Sequence, residues 1–129
     1  MKVFLGGTCN GSTWREKLID MLTIDYFNPV VKDWTPECQE EEIKQRKECD
    51  YCLYCITPLM TGIYSIAEAV DDSNKRSEKT IIVCLENDNS IAFTEHQWKS
   101  LKQFMKLCDI NGAKVCFSLR EVAHYLNCR

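Results

Sequence analysis

Tyr51-Cys52-Leu53-Tyr54-Cys55-Ile56 is a short, uninterrupted apolar run that Thr57-Pro58 brings to an end. A continuous apolar run of this length is typical of a central strand buried on both faces, because a half-exposed strand would alternate apolar and polar residues. Residues 80–85 form a second run of the same kind. Strands buried on both faces need helices above and below the sheet, so the two runs predict an α/β fold.

The segments around these runs alternate between strand and helix signals. The expected strands are residues 2–5, 26–31, 51–56, 80–85 and 114–117. Helix starts are marked by Thr35-Pro36, by Thr61-Gly62 and by three capping-box patterns: Thr13-x-x-Glu16, Thr94-x-x-Gln97 and Ser118-x-x-Glu121. Ser12 is an alternative to Thr13 as the cap of the first helix. The last four helices are expected to end near residues 48, 74, 107 and 127. Strict alternation of five strands and five helices predicts one parallel sheet covered on both faces, in a single domain of residues 1–129.

Three finer expectations concern one strand, one loop and one helix face. Pro29 lies inside the second expected strand and cannot donate a ladder hydrogen bond, so that strand is expected either to lie at a sheet edge or to end at the proline. Residues 86–90 are expected to form a polar loop. In the helix that starts near Thr61, one apolar stripe is expected to face the core: Ile63, Ile66, Ala67 and Val70.

Composition and charge argue against several classes of function. The chain is 45% apolar and 27% charged, which is typical of a globular domain rather than of a disordered chain. Its net charge of −3 argues against a nucleic-acid polymer as partner, and no apolar run reaches the ~18–20 residues of a membrane span. The N-terminus is expected to be a strand rather than an export signal. We therefore expect a cytoplasmic protein that binds neither nucleic-acid polymers nor membranes.

The nine cysteines indicate free thiols in a reducing compartment. Cys49-x-x-Cys52-x-x-Cys55 has spacing that suggests a metal motif, with packing as the alternative. Cys52 and Cys55 are three positions apart on an expected strand, so their side chains point to opposite faces and cannot share a metal ion. Packing is the preferred interpretation, and no metal site is expected.

Five segments follow the carboxyl ends of the expected strands, where parallel α/β sheets bind their ligands. They are residues 6–12, 28–34, 57–62, 85–90 and 117–118. The glycine-rich stretch 6–12 is typical of either a tight turn or a cradle for phosphate or sugar oxygens. Trp34 is a candidate either for stacking on a flat base or for capping the core. Glu68 is either a solvated helix glutamate or, because its helix starts at the strand ends, a group that reaches the ligand.

Several segments in the first two-thirds of the chain resemble nucleoside 2-deoxyribosyltransferase-like proteins. They are residues 2–8, 12–15, 27–31, 33–37 and 57–68, and the last of them, TPLMTGIYSIAE, is the most specific. The resemblance implies a flavodoxin-like sheet of strand order 2-1-3-4-5 and cleavage of the N-glycosidic bond of a nucleoside or nucleotide. It also implies a homo-oligomer, a dimer or a higher even-numbered assembly, because relatives complete the active site across subunits.

The resemblance also assigns roles to individual residues. Glu68 matches the glutamate that attacks the anomeric carbon, and Glu42 matches an acidic residue that contacts the base. Sugar binding falls on the turn residues Gly7, Thr8 and Asn10. Other candidates for substrate binding lie in the strand-end segments or beside Glu68 on its helix: Asn28, Trp34, Thr61, Gly62 and Ser65. This chemistry requires no metal and no redox cofactor.

Hypotheses from different classes remain open on the sequence. The first is an enzyme, a 2-deoxyribosyltransferase or an N-glycosidase. The second is a catalytically inactive module that binds or sequesters a nucleotide in the same cleft, and a purely structural subunit is a third. Departures from the family's enzymes motivate the second hypothesis, since Tyr64 and Ile66 stand where those enzymes have glycines and Gly62 where they have an aspartate.

Overall fold

The computed structural model describes residues 1–9 and 11–129. In chain order these residues form β1 (Lys2–Gly7), α1 (Trp14–Ile19), β2 (Asp25–Phe27), α2 (Pro36–Glu48), β3 (Tyr51–Ile56), α3 (Tyr64–Lys75), β4 (Thr80–Cys84), β5 (Asn87–Asp88), β6 (Ile91–Ala92), α4 (Glu95–Ile110), β7 (Lys114–Cys116) and α5 (Leu119–Asn127). A short 3-10 helix, Ser77–Lys79, precedes β4. None of the helices in these two ranges has the length and apolar character needed to cross a membrane.

A parallel sheet forms the centre of the molecule. Within the described residues, five strands pair in parallel in the order β2-β1-β3-β4-β7. The apolar run 51–56 is β3, the middle strand, between β1 and β4. The predicted α/β fold, with the order 2-1-3-4-5 for the strands of this sheet, is confirmed. β2 lies at an edge of the sheet, as the proline just beyond it led us to expect.

Each face of the sheet has its own core. On one face, α1 and α5 pack over a cluster that contains Leu5, Leu53 and Val83. On the other face, α3 and α4 pack over a cluster that contains Tyr54 and Ile82. By contrast, α2 buries none of its own residues and lies on the surface beside the carboxyl end of the sheet.

The cysteines follow the two faces of the strands. Cys52 lies in the α3–α4 core and Cys55 in the α1–α5 core, which confirms that the two side chains point to opposite faces. Burial raises the pKa of Cys52 to about 12, so this thiol stays neutral at physiological pH. All nine cysteines lie within the described residues and are free.

The second strand is shorter than predicted. β2 ends at Phe27 rather than near Val31. Just beyond it, the Asn28 side chain accepts a hydrogen bond from the Val30 amide at 3.0 Å, which turns the chain away from the sheet. The span through Val31 is therefore wrong, whereas the alternative that the strand ends at the proline agrees with the structure, since β2 stops two residues before Pro29.

Two other local predictions are also wrong. Thr13 makes no side-chain cap on α1 in the described structure, so the Thr13 capping box is wrong, whereas the other cap candidate, Ser12, accepts from the Trp14 amide at 3.4 Å. The polar stretch after β4 is not a simple loop, because β5 and β6 pair as an antiparallel hairpin. The turn residues Asn89 and Ser90 both have positive φ, as in the tightest hairpin turns.

The buried face of α3 differs from the predicted apolar stripe. The helix begins at Tyr64, and two members of that stripe, Ile63 and Ala67, are exposed. Its fully buried residues are Ala69, Asp72 and Ser73. The prediction of the buried face from the apolar residues was therefore wrong in part. Polar side chains can be buried when they find hydrogen-bond partners inside the protein.

Candidate functional site

A cleft of about 350 Å³ opens at the carboxyl ends of β1 and β3. The chain leaves these neighbouring strands in opposite directions, to β2 on one side and to β4 on the other. Such a switch point is where open parallel sheets bind ligands. The turn after β1, one face of α2 and the start of α3 line the cleft, so it lies where the strand-end argument places a ligand site.

The turn after β1 requires glycine and is tied to β3. Gly7 has φ +116°, and a Cβ at this position would lie 2.0 Å from the carbonyl oxygen of Cys55. The Thr8 amide donates to that same carbonyl at 2.9 Å, and the Thr8 hydroxyl accepts from the Thr57 amide at 3.0 Å. The Thr8 side chain therefore joins the ends of the two strands. Asn10, the third predicted sugar-binding residue, lies outside the described residues.

Arg15 holds the carbonyl groups of this turn and was missed by the sequence analysis. Its buried guanidinium donates to the carbonyl oxygens of Leu5, Gly7 and Thr8, at 3.0, 3.3 and 2.7 Å. Burial lowers the pKa of Arg15 from its ordinary value, although a guanidinium in a protein remains charged. The available signal was helical spacing, because Arg15 precedes the buried Leu18 by three residues and so shares its face.

Glu68 reaches the cleft from the second turn of α3, with its side chain 23% exposed. Tyr64 and Ser65, about one turn earlier, line the cleft beside it. Burial raises the pKa of Glu68, the Arg46 guanidinium opposes that shift, and neighbouring carboxylates add to it. The carboxyl group therefore titrates at a higher pH than an exposed glutamate.

Glu42 faces the same cleft from α2. The α2 residues that line the cleft share one helix face: Gln39, Glu42, Ile43 and Arg46. Burial raises the pKa of Glu42, and the charge of Arg15 opposes that shift. Glu42 in turn contributes to the raised pKa of Glu68 by charge repulsion. Two carboxyl groups from different helices, each with a raised pKa, thus share one cleft.

Arg46 connects Glu68 to the core. Its Nη1 lies 3.5 Å from Oε2 of Glu68, whereas Nε and Nη2 donate to the two carboxylate oxygens of Asp72 at 3.1 and 2.9 Å. Nε also donates to the hydroxyl of Tyr54 at 3.0 Å. Burial works against the charge of Asp72, yet hydrogen bonds from Arg46, Tyr54 and Arg76 hold its pKa below the ordinary value.

This network was not found from the sequence. Arg46 has an ordinary explanation there, as one of the cations that complement the dipole at the end of α2. A usable signal was the spacing of charges, because Arg46 follows Glu42 by four residues and Asp72 follows Glu68 by four. Residues four apart share a helix face, so each pair could be placed on one side of its helix but not opposite the other pair.

The other predicted residues are divided between neighbouring depressions. Gly7, Trp34 and Ser65 line the cleft together with the two glutamates. An adjoining depression, which shares Gly7 and Glu68 with the cleft, is lined by further predicted residues: Thr8, Thr61 and Gly62. Asn28 is not brought to Glu68, because it lines a separate depression with Val30.

The cleft is suited to charge stabilisation and to stacking. Among the described residues, no group of three or more His, Cys, Asp or Glu side chains is arranged to hold a metal ion. The cleft offers instead two carboxyl groups, the guanidinium of Arg46 and the exposed ring of Trp34. Carboxylates can stabilise positive charge at a reacting carbon, and an aromatic ring can stack on a flat heterocycle.

Comparison with known proteins bears on the first part of the chain. The model of one protein family, described as nucleoside 2-deoxyribosyltransferase like, matches residues 1–88, more than half of the chain. The matched range contains the turn after β1 and the helices that carry Glu42, Arg46 and Glu68. A search of curated proteins and a search of solved structures returned no match.

Proposed function

This chain belongs to the nucleoside 2-deoxyribosyltransferase-like family, and on that premise we propose that it cleaves the N-glycosidic bond of a nucleoside or nucleotide, with Glu68 as nucleophile. The sugar passes to water or to a second base. The observation that carries the proposal is the pair of partly buried carboxyl groups, Glu68 and Glu42, that face one cleft from different helices.

Glu68 forms the bond to the sugar. One carboxylate oxygen attacks the anomeric carbon while the electron pair of the breaking C–N bond moves to the base nitrogen. The transition state carries positive charge on the sugar, and a carboxylate in a partly buried cleft stabilises that charge more strongly than one in water. Water or a second base then attacks the same carbon and releases Glu68 as a carboxylate, and the proton that the attacking group loses restores the acid that protonated the leaving base.

Glu42 acts on the base. The leaving nitrogen gains negative charge unless a proton or a hydrogen bond reaches the ring. Because burial raises the pKa of Glu42, more of this carboxyl group is protonated near neutral pH than of an exposed glutamate. We assign it the donation to the leaving base, with Trp34 stacking on the ring.

The sugar end of the cleft is the turn after β1. Gly7 lines the cleft with backbone atoms alone, so a ligand can contact the backbone there. Ser65 lines the cleft one turn before Glu68 and offers a hydroxyl on the same side. Asn10, which lies outside the described residues, is the third sugar-binding residue that we propose.

A nucleotide-binding module without turnover is the second candidate. Tyr64 favours it, because its side chain lines the cleft beside Glu68 at a position where the family resemblance implies a glycine. A phenol ring at this point leaves less room around the anomeric carbon than a glycine would.

Release of free base tests the proposal. The chain is incubated separately with the common nucleosides, deoxynucleosides and their 5′-monophosphates, and free base is measured by chromatography. Peptide mass spectrometry of quenched samples should show a glycosyl adduct on the peptide that contains Glu68. Glu68→Gln should abolish both signals, whereas Glu78→Gln, at an exposed glutamate just after α3, should keep both. A ligand-induced rise in melting temperature without base release would instead support the second candidate.

We also propose that the chain forms a homo-oligomer through the rim of the cleft. Trp34, Ile63 and Tyr64 are large side chains at or beside the cleft, and each is at least 60% exposed. Apolar side chains grouped at a surface are typical of association sites. Light scattering at micromolar concentration should give an even multiple of the mass of one chain, 15.0 kDa. A mass of 15.0 kDa would contradict the assembly.

A further inference from the structure

We propose that Arg46 is a positioning residue for the nucleophile: it fixes one carboxylate oxygen of Glu68 and thereby directs the other oxygen at the anomeric carbon. This inference rests on the proposed function, because it assigns a role within that reaction. The observation behind it is a continuous set of contacts that runs from Tyr54 and Asp72 in the core, through Arg46, to Oε2 of Glu68.

The guanidinium of Arg46 is immobilised on its inner edge. Nε and Nη2 form a two-point contact with the carboxylate of Asp72, whose side chain is 1% exposed, and Nε also meets the hydroxyl of the buried Tyr54. Two-point contacts of this kind fix the plane of a guanidinium as well as its position. The remaining nitrogen, Nη1, is therefore held where it faces Glu68.

Glu68 and Asp72 are four residues apart on α3 and bind the same guanidinium. A free glutamate side chain rotates about three bonds, and ordering it costs conformational entropy. The ion pair between Arg46 Nη1 and Oε2 of Glu68 restrains the carboxylate before the substrate binds, so less freedom is lost on binding. Reactions between bound groups depend strongly on such prior alignment.

Arg46 also opposes the groups that disfavour the charge of Glu68. Burial, Asp72 on the same helix and Glu42 on α2 all raise the pKa of Glu68, and the charge of Arg46 lowers it. Arg15 from α1, Cys9 from the turn after β1 and Tyr64 from α3 complete the titratable side chains that line the cleft. A carboxylate must be ionised to attack. Losing Arg46 therefore removes the alignment of Glu68 and lowers the fraction of Glu68 that is ionised.

Arg76 provides a matched control. Like Arg46, it forms an ion pair with Asp72. Within the described residues, Arg46 also pairs with Glu68, whereas Arg76 does not. Arg46→Gln and Arg76→Gln therefore each remove one cation from Asp72, while only the first removes a cation from Glu68. A purely structural role for Arg46 predicts that the two variants behave alike.

The experiment compares the wild type with Arg46→Gln, Arg46→Lys and Arg76→Gln. The titration of Glu68 is followed by carbon NMR of labelled glutamate, with Glu68→Gln to assign the resonance, and kcat/KM for base release is measured against pH. In Arg46→Gln the pKa of Glu68 should rise, because the cation that opposes the effect of burial is removed. The acidic limb of the profile should move with it, and kcat above that limb should fall about tenfold because alignment is lost.

The two other variants separate charge from alignment. Arg46→Lys restores a cation without the planar two-point contact, so the titration of Glu68 should return toward the wild-type position while kcat stays low. Arg76→Gln should melt at a lower temperature, yet keep the wild-type titration of Glu68.

Two results would overturn the inference. One is an Arg46→Gln variant that keeps the wild-type kcat and the wild-type titration of Glu68. The other is a change in the Glu68 titration in Arg76→Gln that equals the change in Arg46→Gln. Failure of the proposed function has a different signature, namely no base release by the wild type itself.

Discussion

Residues 1–88, which the family model matches, and residues 89–129 contribute to the molecule in different ways. The residues that line the cleft, the adjoining depression and the separate depression at Asn28 all come from the first part. The second part supplies α4, β7 and α5, whose buried side chains complete the cores on both faces of the sheet. The cleft is therefore formed by the first part alone, whereas both parts contribute to the cores. Substitutions in α4, β7 and α5 should change stability without changing the chemistry of the cleft.

One helix from each part, α2 and α4, shows a contrast in how helices are held in this fold. α2 buries none of its residues and is fixed by the contacts of Arg46 with Asp72 and Tyr54. α4 is fixed by buried side chains, among them Leu101 and Met105. A helix held by polar contacts beside a cleft can present charge to a ligand, whereas a helix held by apolar contacts stabilises the sheet beneath it.

The largest expected effect is on rate, at Glu68. Glu68→Gln keeps the shape of the side chain but removes its charge and nucleophilicity, so base release should fall by at least about 10³-fold. The pKa of Glu68 is raised in the folded protein, so its ionisation costs stability as pH rises through that pKa. The free energy of unfolding at pH 7 should therefore stay equal or rise slightly. Base release and urea unfolding measure the two effects.

The control for Glu68 lies in the second part of the chain. Glu95→Gln changes an exposed glutamate at the start of α4 in the same way and should leave both measurements at the wild-type value. Base release by Glu68→Gln at the wild-type rate would rule out Glu68 as the nucleophile.

The next effect is on stability, at Leu126. This side chain of α5 is fully buried in the core shared with α1, and Leu126→Ala should lower the free energy of unfolding by about 3 kcal/mol. Because it lies outside the cleft, kcat/KM per folded molecule should stay within about twofold of the wild type. Urea unfolding followed by kinetics on the folded fraction checks this. A large loss of kcat/KM in the folded fraction would break the division between the two parts.

The effect expected at Glu42 is smaller and depends on pH. A group that donates a proton must be protonated, so its contribution should be lost as pH rises through its raised pKa. Glu42→Gln should lower kcat about tenfold below that pKa and should remove the corresponding basic limb from the pH profile. A basic limb that persists unchanged in Glu42→Gln would assign the proton to another group.

The fold could be predicted from the sequence because its signals are local. The apolar runs of β3 and β4 and the cap residues Thr35 and Thr94 depend on residues within a few positions of one another. The prediction failed on the buried face of α3, where Asp72 is buried because Arg46 from another helix pairs with it. Such pairing over 26 positions leaves no periodic signal in one sequence.

The site could be predicted only in part, for the same reason. Strand order and strand-end loops locate the cleft, and spacing on α3 places Glu68 with Tyr64 and Ser65. Arg15 and Arg46 were missed because their roles depend on carbonyl and carboxylate groups supplied by other elements. The family resemblance supplied the role of Glu68, which periodicity alone does not.

The smallest expected effect compares two equivalent caps, one in each part of the chain. Thr35 accepts from the Cys38 amide at the start of α2, and Thr94 accepts from the Gln97 amide at the start of α4. Replacing either threonine by alanine removes a cap worth about 1 kcal/mol of helix stability. The two losses should appear in different measurements, because α4 is buried against the sheet and α2 is not.

Thr94→Ala should lower the global free energy of unfolding by about 1 kcal/mol and leave KM unchanged. Thr35→Ala should barely change global unfolding, since the first turn of α2 can open without exposing the core. Its signature should be faster amide hydrogen exchange in α2 and a KM raised by a few fold, because Gln39 and Glu42 line the cleft from that helix. The opposite result would be a rise in KM in Thr94→Ala and a fall in global stability in Thr35→Ala. It would show that α2 unfolds together with the core, and that the effects on the cleft and on stability cannot be assigned to different parts of the chain.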